Sequence, residues 1–181
     1  LMASKIKVDT LETANGSGTI ALSNQLSGMT TASLPALTSA EMPSGSVLQV
    51  ISATNTNTAN GGFLLTTTST AYVSVPLVVS ITPSSTSSKI MILVNTTTYR
   101  AATGYLTLYR GSTNIAGTNG LANPSGSSSS RFEPVSFSYL DSPNTTSSVQ
   151  YTLYARTASG TLYVGGDGDL INSITVMEIK G

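Results

Sequence analysis

The sequence predicts an all-β fold, a jelly roll or β-sandwich head preceded by a short N-terminal β segment. Short runs rich in Val, Ile, Thr and Tyr recur from residue 46 to the end of the chain, with turn signals between them. The pattern contains no long amphipathic helix. Eight or more strands over this stretch suit two packed sheets, and the lack of a fixed repeat argues against a solenoid or propeller.

Residues 1–25 are predicted to form the N-terminal β segment. They hold two short alternating runs, around Ile6 and Ile20, on either side of the turn signal Asn15-Gly16-Ser17-Gly18. Two strands alone are marginally stable in water. We therefore expect this segment to dock on another surface.

The remaining chain is predicted to divide near residue 45. Residues 26–45 are punctuated by Gly28, Pro35 and Pro43, which is typical of a connector. Residues 46–181 carry the recurring strand pattern and are predicted to be the β-sandwich head domain.

The first strand of the head domain is predicted at Val47–Ile51. The next two, Ala71–Val75 and Leu77–Ile81, are separated by Pro76, which indicates an edge strand or a bulge. Lys89–Asn95 is continuously apolar, which predicts a buried central strand.

In the second half, the dipeptide Gly111-Ser112 between Tyr105–Arg110 and Thr113–Ala116 predicts a two-residue hairpin. The last predicted strands are 131–140, 149–156, a short hairpin arm 161–164 that follows Ser159-Gly160, and 171–179.

The composition argues against an enzyme. The chain has no His and no Cys, so it lacks the commonest general acid/base, the commonest metal ligand and any thiol. Its few carboxylates show no spacing that suggests a catalytic pair. We predict no enzymatic activity, no cofactor and no metal site, and we interpret Asp167 and Asp169 as parts of a glycine-rich turn rather than a calcium loop.

Charge and hydropathy exclude two classes of partner. The chain carries 8 basic and 8 acidic residues, and the basic ones are scattered rather than gathered into a stripe. We therefore expect no nucleic-acid partner. The longest apolar stretch, near 73–81, is too short to span a membrane. Without a disulfide, a chain of this size must gain its stability from its core or from partner subunits.

Three parts of the sequence, in their order, carry a likeness to a known family. They are Lys5–Leu11 (KIKVDTL) with Gly16–Leu22 (GSGTIAL), Ala40–Val50 (AEMPSGSVLQV), and Ile81–Ile90 (ITPSSTSSKI) with Ser173–Ile179 (SITVMEI). In this order the chain resembles virion fibre proteins of marine tailed phages, of the cyanophage and pelagiphage type.

This resemblance implies a homotrimeric structural fibre protein on the exterior of a tailed-phage virion; members differ in whether the fibre sits on the tail or the capsid, and we predict a tail fibre. It implies a C-terminal head like the trimeric heads of tumour necrosis factor and complement proteins, and an N-terminal anchor on other virion proteins, a tail adaptor or nozzle or the capsid. The anchor is expected to add short strands to its partner. The residues expected to do so are Ile6, Val8, Leu11, Ile20 and Leu22.

Tyrosines are the candidates for the trimer interface, because Tyr offers apolar area together with a polar tip. The alternative, that most of them are ordinary half-buried strand residues, stays open. The candidates are Tyr99, Tyr105, Tyr109, Tyr151, Tyr154 and Tyr163.

Loops 55–62, 119–130 and 141–147 are expected to lie distally, where they could meet a host-surface glycan or protein. Two alternatives to a tail fibre remain. One is a capsid fibre or decoration protein, and the other is a free lectin-like module that binds carbohydrate as a monomer.

Overall fold

The computed structural model describes residues 38–56, 59–100, 103–124, 132–166 and 170–181. The described residues belong to one compact unit, Thr38–Gly181. The predicted N-terminal segment 1–25 lies outside the described residues, and so do its proposed attachment residues Ile6, Val8, Leu11, Ile20 and Leu22.

The described chain consists almost entirely of strands and loops. In chain order its elements are β1 (Val47–Asn55), a single helical turn α1 (Ala59–Gly62), β2 (Leu65–Thr67), β3 (Val73–Ile81), β4 (Lys89–Arg100), β5 (Gly104–Arg110), β6 (Thr113–Asn114), β7 (Phe132–Asp141), β8 (Val149–Thr157), β9 (Leu162–Val164) and β10 (Asn172–Ile179). None of the described helices is long and apolar enough to cross a membrane.

The strands form two antiparallel sheets. The first sheet has the order β1-β10-β4-β7, and β9 and β2 extend it beside the last residues of β4. The second sheet has the order β3-β8-β5-β6. The chain crosses between the sheets after β2, β3, β4, β6, β7 and β8, as in a jelly roll. The predicted all-β sandwich is therefore confirmed.

The core lies between the two sheets and follows the period-2 alternation of the strands. In β3, for example, Val75, Leu77, Val79 and Ile81 are buried while the residues between them are exposed. Each such aliphatic side chain stabilises the fold by roughly 1.5–3 kcal/mol. The facing side chains come mainly from Ile90, Ile92 and Val94 of β4, Leu153 and Ala155 of β8, and Ile174 and Val176 of β10.

Several local predictions are confirmed by the register. β4 pairs with β10 on one side and with β7 on the other, so it is a central strand. Pro76 lies where the register of the edge strand β3 shifts, between Ser74 and Val78. The hairpin between β5 and β6 turns at Gly111, whose φ of 58° favours glycine.

The predicted hairpin after Ser159-Gly160 was wrong. Leu162–Val164 does not pair with β8 but crosses to the first sheet, where it pairs with β2 and β4. The physical reason is that β8 already pairs with β3 on one side and with β5 on the other, so it offers no free edge. The sequence pattern also missed β2, which has three residues.

The register defines two ends of the sandwich. At the proximal end, β4 begins opposite the last residue of β10, with Lys89 beside Ile179. The chain enters the sandwich here, because the Gly45 amide donates to the Lys180 carbonyl at 2.8 Å and the Lys180 amide to Ser46 at 2.9 Å. Lys180 Nζ also donates to the carbonyl oxygens of Ala40 and Met42. Residues 38–45 of the predicted connector thus pack with the head domain.

The opposite, distal end carries most of the expected outward loops. Loop 55–62 follows Asn55, which pairs with Asn172 there, and the described part of loop 119–130 leads to the same end. Loop 141–147 does not share this end with the other two loops. Since β7 runs antiparallel to β4, it ends with Asp141 opposite Ile90, at the proximal end.

Candidate functional site

The outer face of the first sheet, which points away from the core, is nearly free of charge. Strand alternation and register place on it Val47, Val50, Ser52 and Thr54 of β1, Lys89, Met91, Leu93, Asn95, Thr97 and Tyr99 of β4, Phe132, Pro134, Ser136, Ser138 and Leu140 of β7, and Ser173, Thr175, Met177 and Ile179 of β10. Among these described residues, Lys89 is the only charged one. Charge depletion of this kind is typical of the core of a protein interface.

An apolar row crosses this face near its proximal end. Register pairs Val50 with Met177, Met177 with Met91, and Met91 with Leu140, so the four side chains lie side by side on neighbouring strands. Three strand spacings of about 4.8 Å make the row roughly 15 Å long. Val50 is 56% exposed and Leu140 45% exposed. The row is therefore open at both ends in the single chain.

A band of hydroxyl and amide groups lies beside the apolar row. Ser52 Oγ and Thr175 Oγ1 share a hydrogen bond of 2.8 Å across β1 and β10. Ser136 Oγ donates to Asn95 Oδ1 at 2.7 Å across β7 and β4. Because these polar groups already have partners within the face, covering the band with another surface leaves fewer of them unsatisfied.

Four aromatic rings form a cluster at the distal end of the same face. Tyr99 lies 5.0 Å from Phe132 and 5.5 Å from Tyr163 between ring centroids, and Phe63 lies 4.8 Å from Tyr163. These distances are typical of favourable ring pairs. Gly166 makes the packing possible, since a Cβ there would lie 2.6 Å from the Phe132 ring.

Beneath the proximal end, a fully buried carboxylate joins three elements. Glu178 of β10 accepts hydrogen bonds from Gln49 Nε2 at 2.6 Å, from both the amide and Oγ of Ser84 at 2.7 Å, and from Ser88 Oγ at 2.6 Å. Burial alone would raise the pKa of Glu178. The hydrogen bonds from Ser88, Gln49 and Ser84 together outweigh burial and lower that pKa below its ordinary value. This network holds β10, β1 and the loop between β3 and β4 together on the inner side of the sheet, beneath the apolar row.

A second buried network joins the two sheets. Arg110 Nη1 of β5 lies 2.8 Å from Asp141 Oδ2 at the end of β7, and Tyr151 Oη of β8 donates to the same oxygen at 2.7 Å. Burial and the hydrogen bond to Asp141 raise the pKa of Tyr151, so its hydroxyl stays protonated. Tyr151 is 0% exposed.

The predicted interface tyrosines are therefore distributed over three places. Tyr99 and Tyr163 lie in the aromatic cluster of the first sheet, whereas Tyr105, Tyr109 and Tyr154 lie on the outer face of the second sheet. Tyr151 lies inside the core, so its prediction as an interface residue was wrong. Its parity in β8 matches that of the inward-facing Leu153 and Ala155, a signal present in the sequence.

Sequence reasoning missed the apolar row and half of the aromatic cluster. Phe63 and Phe132 are far apart in the chain, and no sequence pattern connects them. The row did leave a signal, because the unbroken apolar run at Ile90–Val94 contains the outward Met91 and Leu93 as well as three inward residues.

Within the described part of the chain, no cluster of acidic side chains could hold a metal ion. No protein-family model matches the sequence, and no curated protein matches it either. The function is therefore inferred from the chemistry of the two outer faces and from the positions of the two ends.

Proposed function

We propose that this chain is a structural fibre protein of a tailed-phage virion, whose head domain forms a homotrimer through the outer face of the first sheet. The observation that carries the proposal is this face itself. It is almost uncharged, it holds an apolar row and an aromatic cluster, and two pairs of its polar side chains, Ser52–Thr175 and Ser136–Asn95, are hydrogen-bonded across the strands.

The central strand β4 supports burial of both faces of the first sheet. Ile90, Ile92 and Val94 are fully buried in the core, while Met91 and Leu93 point outward and are only half-buried in the single chain. Strands buried on both faces are continuously apolar, whereas half-solvated strands alternate. A second protein surface over Met91 and Leu93 accounts for the apolar residues on the outer side.

The placement of the chain ends supports an anchor on one side and exposed loops on the other. The chain enters the sandwich at the proximal end, through residues 38–46. An anchor formed by residues 1–25, with Ile6, Val8, Leu11, Ile20 and Leu22 adding strands to a virion partner, would connect there. Loops of the distal end would then face away from the particle.

The resemblance to phage fibre proteins supports three copies in particular. It implies a trimeric head of the tumour-necrosis-factor type, and the jelly-roll sandwich is compatible with that head. Three copies around one axis form a closed assembly in which each subunit can bury its exposed apolar row against a neighbour. A homotrimer also provides the stability that the absent disulfides do not.

Light scattering on the purified full chain tests the assembly. We expect a mass three times the 18.5 kDa of one subunit, stable on dilution to micromolar concentration. A stable single subunit would contradict the homotrimer.

Particle incorporation tests the virion role separately. A variant that lacks residues 2–25 should remain a soluble trimer but should no longer join particles. Normal incorporation of this variant would contradict the anchoring role of the segment. Images of particles that carry a labelled full chain should show the label on the tail, and a label over the shell would assign the protein to the capsid instead.

A further inference from the structure

The outer face of the second sheet carries a different arrangement, a continuous ladder of four tyrosines and one arginine. Tyr154 stacks on Tyr109 with ring centroids 3.9 Å apart, and Tyr109 meets Tyr72 edge-on at 6.3 Å. The guanidinium carbon of Arg156 lies 5.2 Å from the Tyr72 ring and 4.0 Å from the Tyr105 ring. All five side chains are partly exposed.

Arg156 contacts two tyrosine rings of the ladder, and no described carboxylate neutralises it. In the part of the chain that the structure describes, no carboxylate lies within salt-bridge distance of it. Its one hydrogen bond to a described residue runs from Nη2 to the Thr118 carbonyl at 3.4 Å. Because a guanidinium has five N–H donors in a planar fork, the described residues leave most of them open to a ligand.

The backbone beside the ladder is shaped to hold this arginine. The Thr118 carbonyl also accepts a hydrogen bond from Tyr72 Oη at 3.2 Å, so one oxygen fixes two members of the ladder. Gly120 allows the loop that carries Thr118 to lie close to β5, because its φ is +69° and a Cβ there would lie 2.2 Å from the Leu106 carbonyl oxygen. The guanidinium is thus oriented before any ligand arrives.

We propose that the tyrosine–arginine ladder is a binding site for an anionic saccharide. The fork of Arg156 would donate two hydrogen bonds to a carboxylate or sulfate group of the sugar in bidentate geometry. The tyrosine rings would offer flat apolar surface to the sugar ring and hydroxyls to its polar edge. This site lies on the sheet opposite to the proposed trimer interface, and it does not depend on the virion role.

Two further observations favour a saccharide over other anions. Among the described residues no other basic side chain joins Arg156 in the ladder, and a single arginine does not form the phosphate-tracking stripe of a nucleic-acid site. The ladder is also bordered by hydroxyl side chains, since Ser74 pairs with Tyr154 and Thr152 pairs with Tyr109 in the sheet register. These hydroxyls suit the many donors and acceptors of a sugar.

Titration calorimetry on the full chain tests the site with three probes. They are a hexamer of uronic acid, a neutral hexamer of glucose, and inorganic sulfate. We expect the uronic acid hexamer to bind at least tenfold more tightly than either of the others, because only this probe combines charge with sugar rings. Equal binding of the neutral hexamer or of sulfate, or no binding of any probe at millimolar concentration, would overturn the proposal.

Matched variants test the position of the site. R156Q should weaken binding of the uronic acid hexamer by about tenfold or more, the usual size of a lost charged hydrogen bond. R156K, which keeps the charge but loses the planar fork, should bind the uronic acid hexamer more tightly than R156Q but less tightly than the native chain. K89Q removes the same charge from the opposite face and should leave binding unchanged, and an equal loss in K89Q and R156Q would show that the ladder is not the site.

Discussion

The two outer faces of the sandwich differ in how costly it would be to remove water from them. On the first sheet, hydroxyl and amide side chains bond to each other in the pairs Ser52–Thr175 and Ser136–Asn95, and the apolar row runs beside them. On the second sheet, Arg156 makes one hydrogen bond to a described residue, and the tyrosine side chains are partly exposed. Apart from Lys89 at its proximal edge, the first face therefore has no charge to dehydrate, whereas the second face would bury the charge of Arg156 in the middle of its ring cluster without an anion.

Aromatic content alone therefore does not identify an interface. Both faces hold clustered aromatic rings, at 5.0 Å for Tyr99–Phe132 and 3.9 Å for Tyr109–Tyr154. What separates them is the hydrogen-bonding state of the polar groups around the rings. Substitutions of the same chemical type on the two faces should consequently have unequal effects.

The largest effect is expected for a charge in the apolar row. M91E places a carboxylate in the middle of the row, where no described cation faces it except Lys89 at the row's edge. Burying an unpaired charge in the trimer interface would cost on the order of 3–5 kcal/mol. We expect M91E to be a folded single subunit by light scattering, with an unchanged circular dichroism spectrum.

V78E is the matched control on the second sheet, because Val78 is 42% exposed and points outward from β3. It should remain a trimer. If both variants dissociate, or if neither does, the two faces do not differ in the way proposed.

The next largest effect concerns the buried carboxylate below the apolar row. E178Q replaces one oxygen with an NH₂ group, so either Gln49 Nε2 or the Ser84 and Ser88 donors would face a donor instead of an acceptor. Gln49 Nε2 cannot turn away freely, since it also donates to the Thr82 carbonyl at 2.8 Å. We expect a loss of roughly 2 kcal/mol in unfolding free energy, measured by chemical denaturation at neutral pH.

The same residue predicts a pH dependence. The lowered pKa of Glu178 means that its stabilising effect is present above its ordinary pKa of 4.5 and is lost as the pH falls through the lower folded-state value. The melting temperature of the native chain should therefore decrease below about pH 4.5. E178Q should show a shallower decrease as the pH falls below 4.5, and an identical pH profile would contradict this role.

Period-2 alternation predicted most of the strands, and it also determines the two sides of each sheet. In β5, Tyr105 and Tyr109 have the parity opposite to Leu106 and Leu108, so their outward position follows from the sequence. Parity does not reveal which sheet a strand joins. That choice depends on long-range pairing, as for Leu162–Val164, which crosses to the first sheet because β8 has no free edge. The sequence therefore predicted that tyrosines would lie on an outer face, but it could not predict which of the two sheets would carry the interface.

A smaller effect is expected for the aromatic cluster. Y99A removes the ring that contacts Phe63, Phe132 and Tyr163 on the first sheet. Loss of an aromatic ring from the interface should weaken the trimer by about 1–2 kcal/mol, which is about five- to thirtyfold in dissociation constant. Sedimentation velocity over a dilution series measures this change. Y154A removes a stacked ring from the second sheet and should leave trimer dissociation as it is in the native chain, so equal weakening would place both faces in the interface.

The smallest effect is expected for Tyr151, and it distinguishes the core from both faces. Y151F deletes only the hydroxyl that donates to Asp141 at 2.7 Å, while Arg110 still neutralises that carboxylate. The cost should be about 1 kcal/mol, or a decrease of roughly 2–4 °C in melting temperature. Because the side chain is enclosed between the two sheets, neither the trimer mass nor the binding of the uronic acid hexamer should change. A change in assembly without a change in melting temperature would indicate that Tyr151 contributes to the interface, and it would contradict the position of Tyr151 in the core.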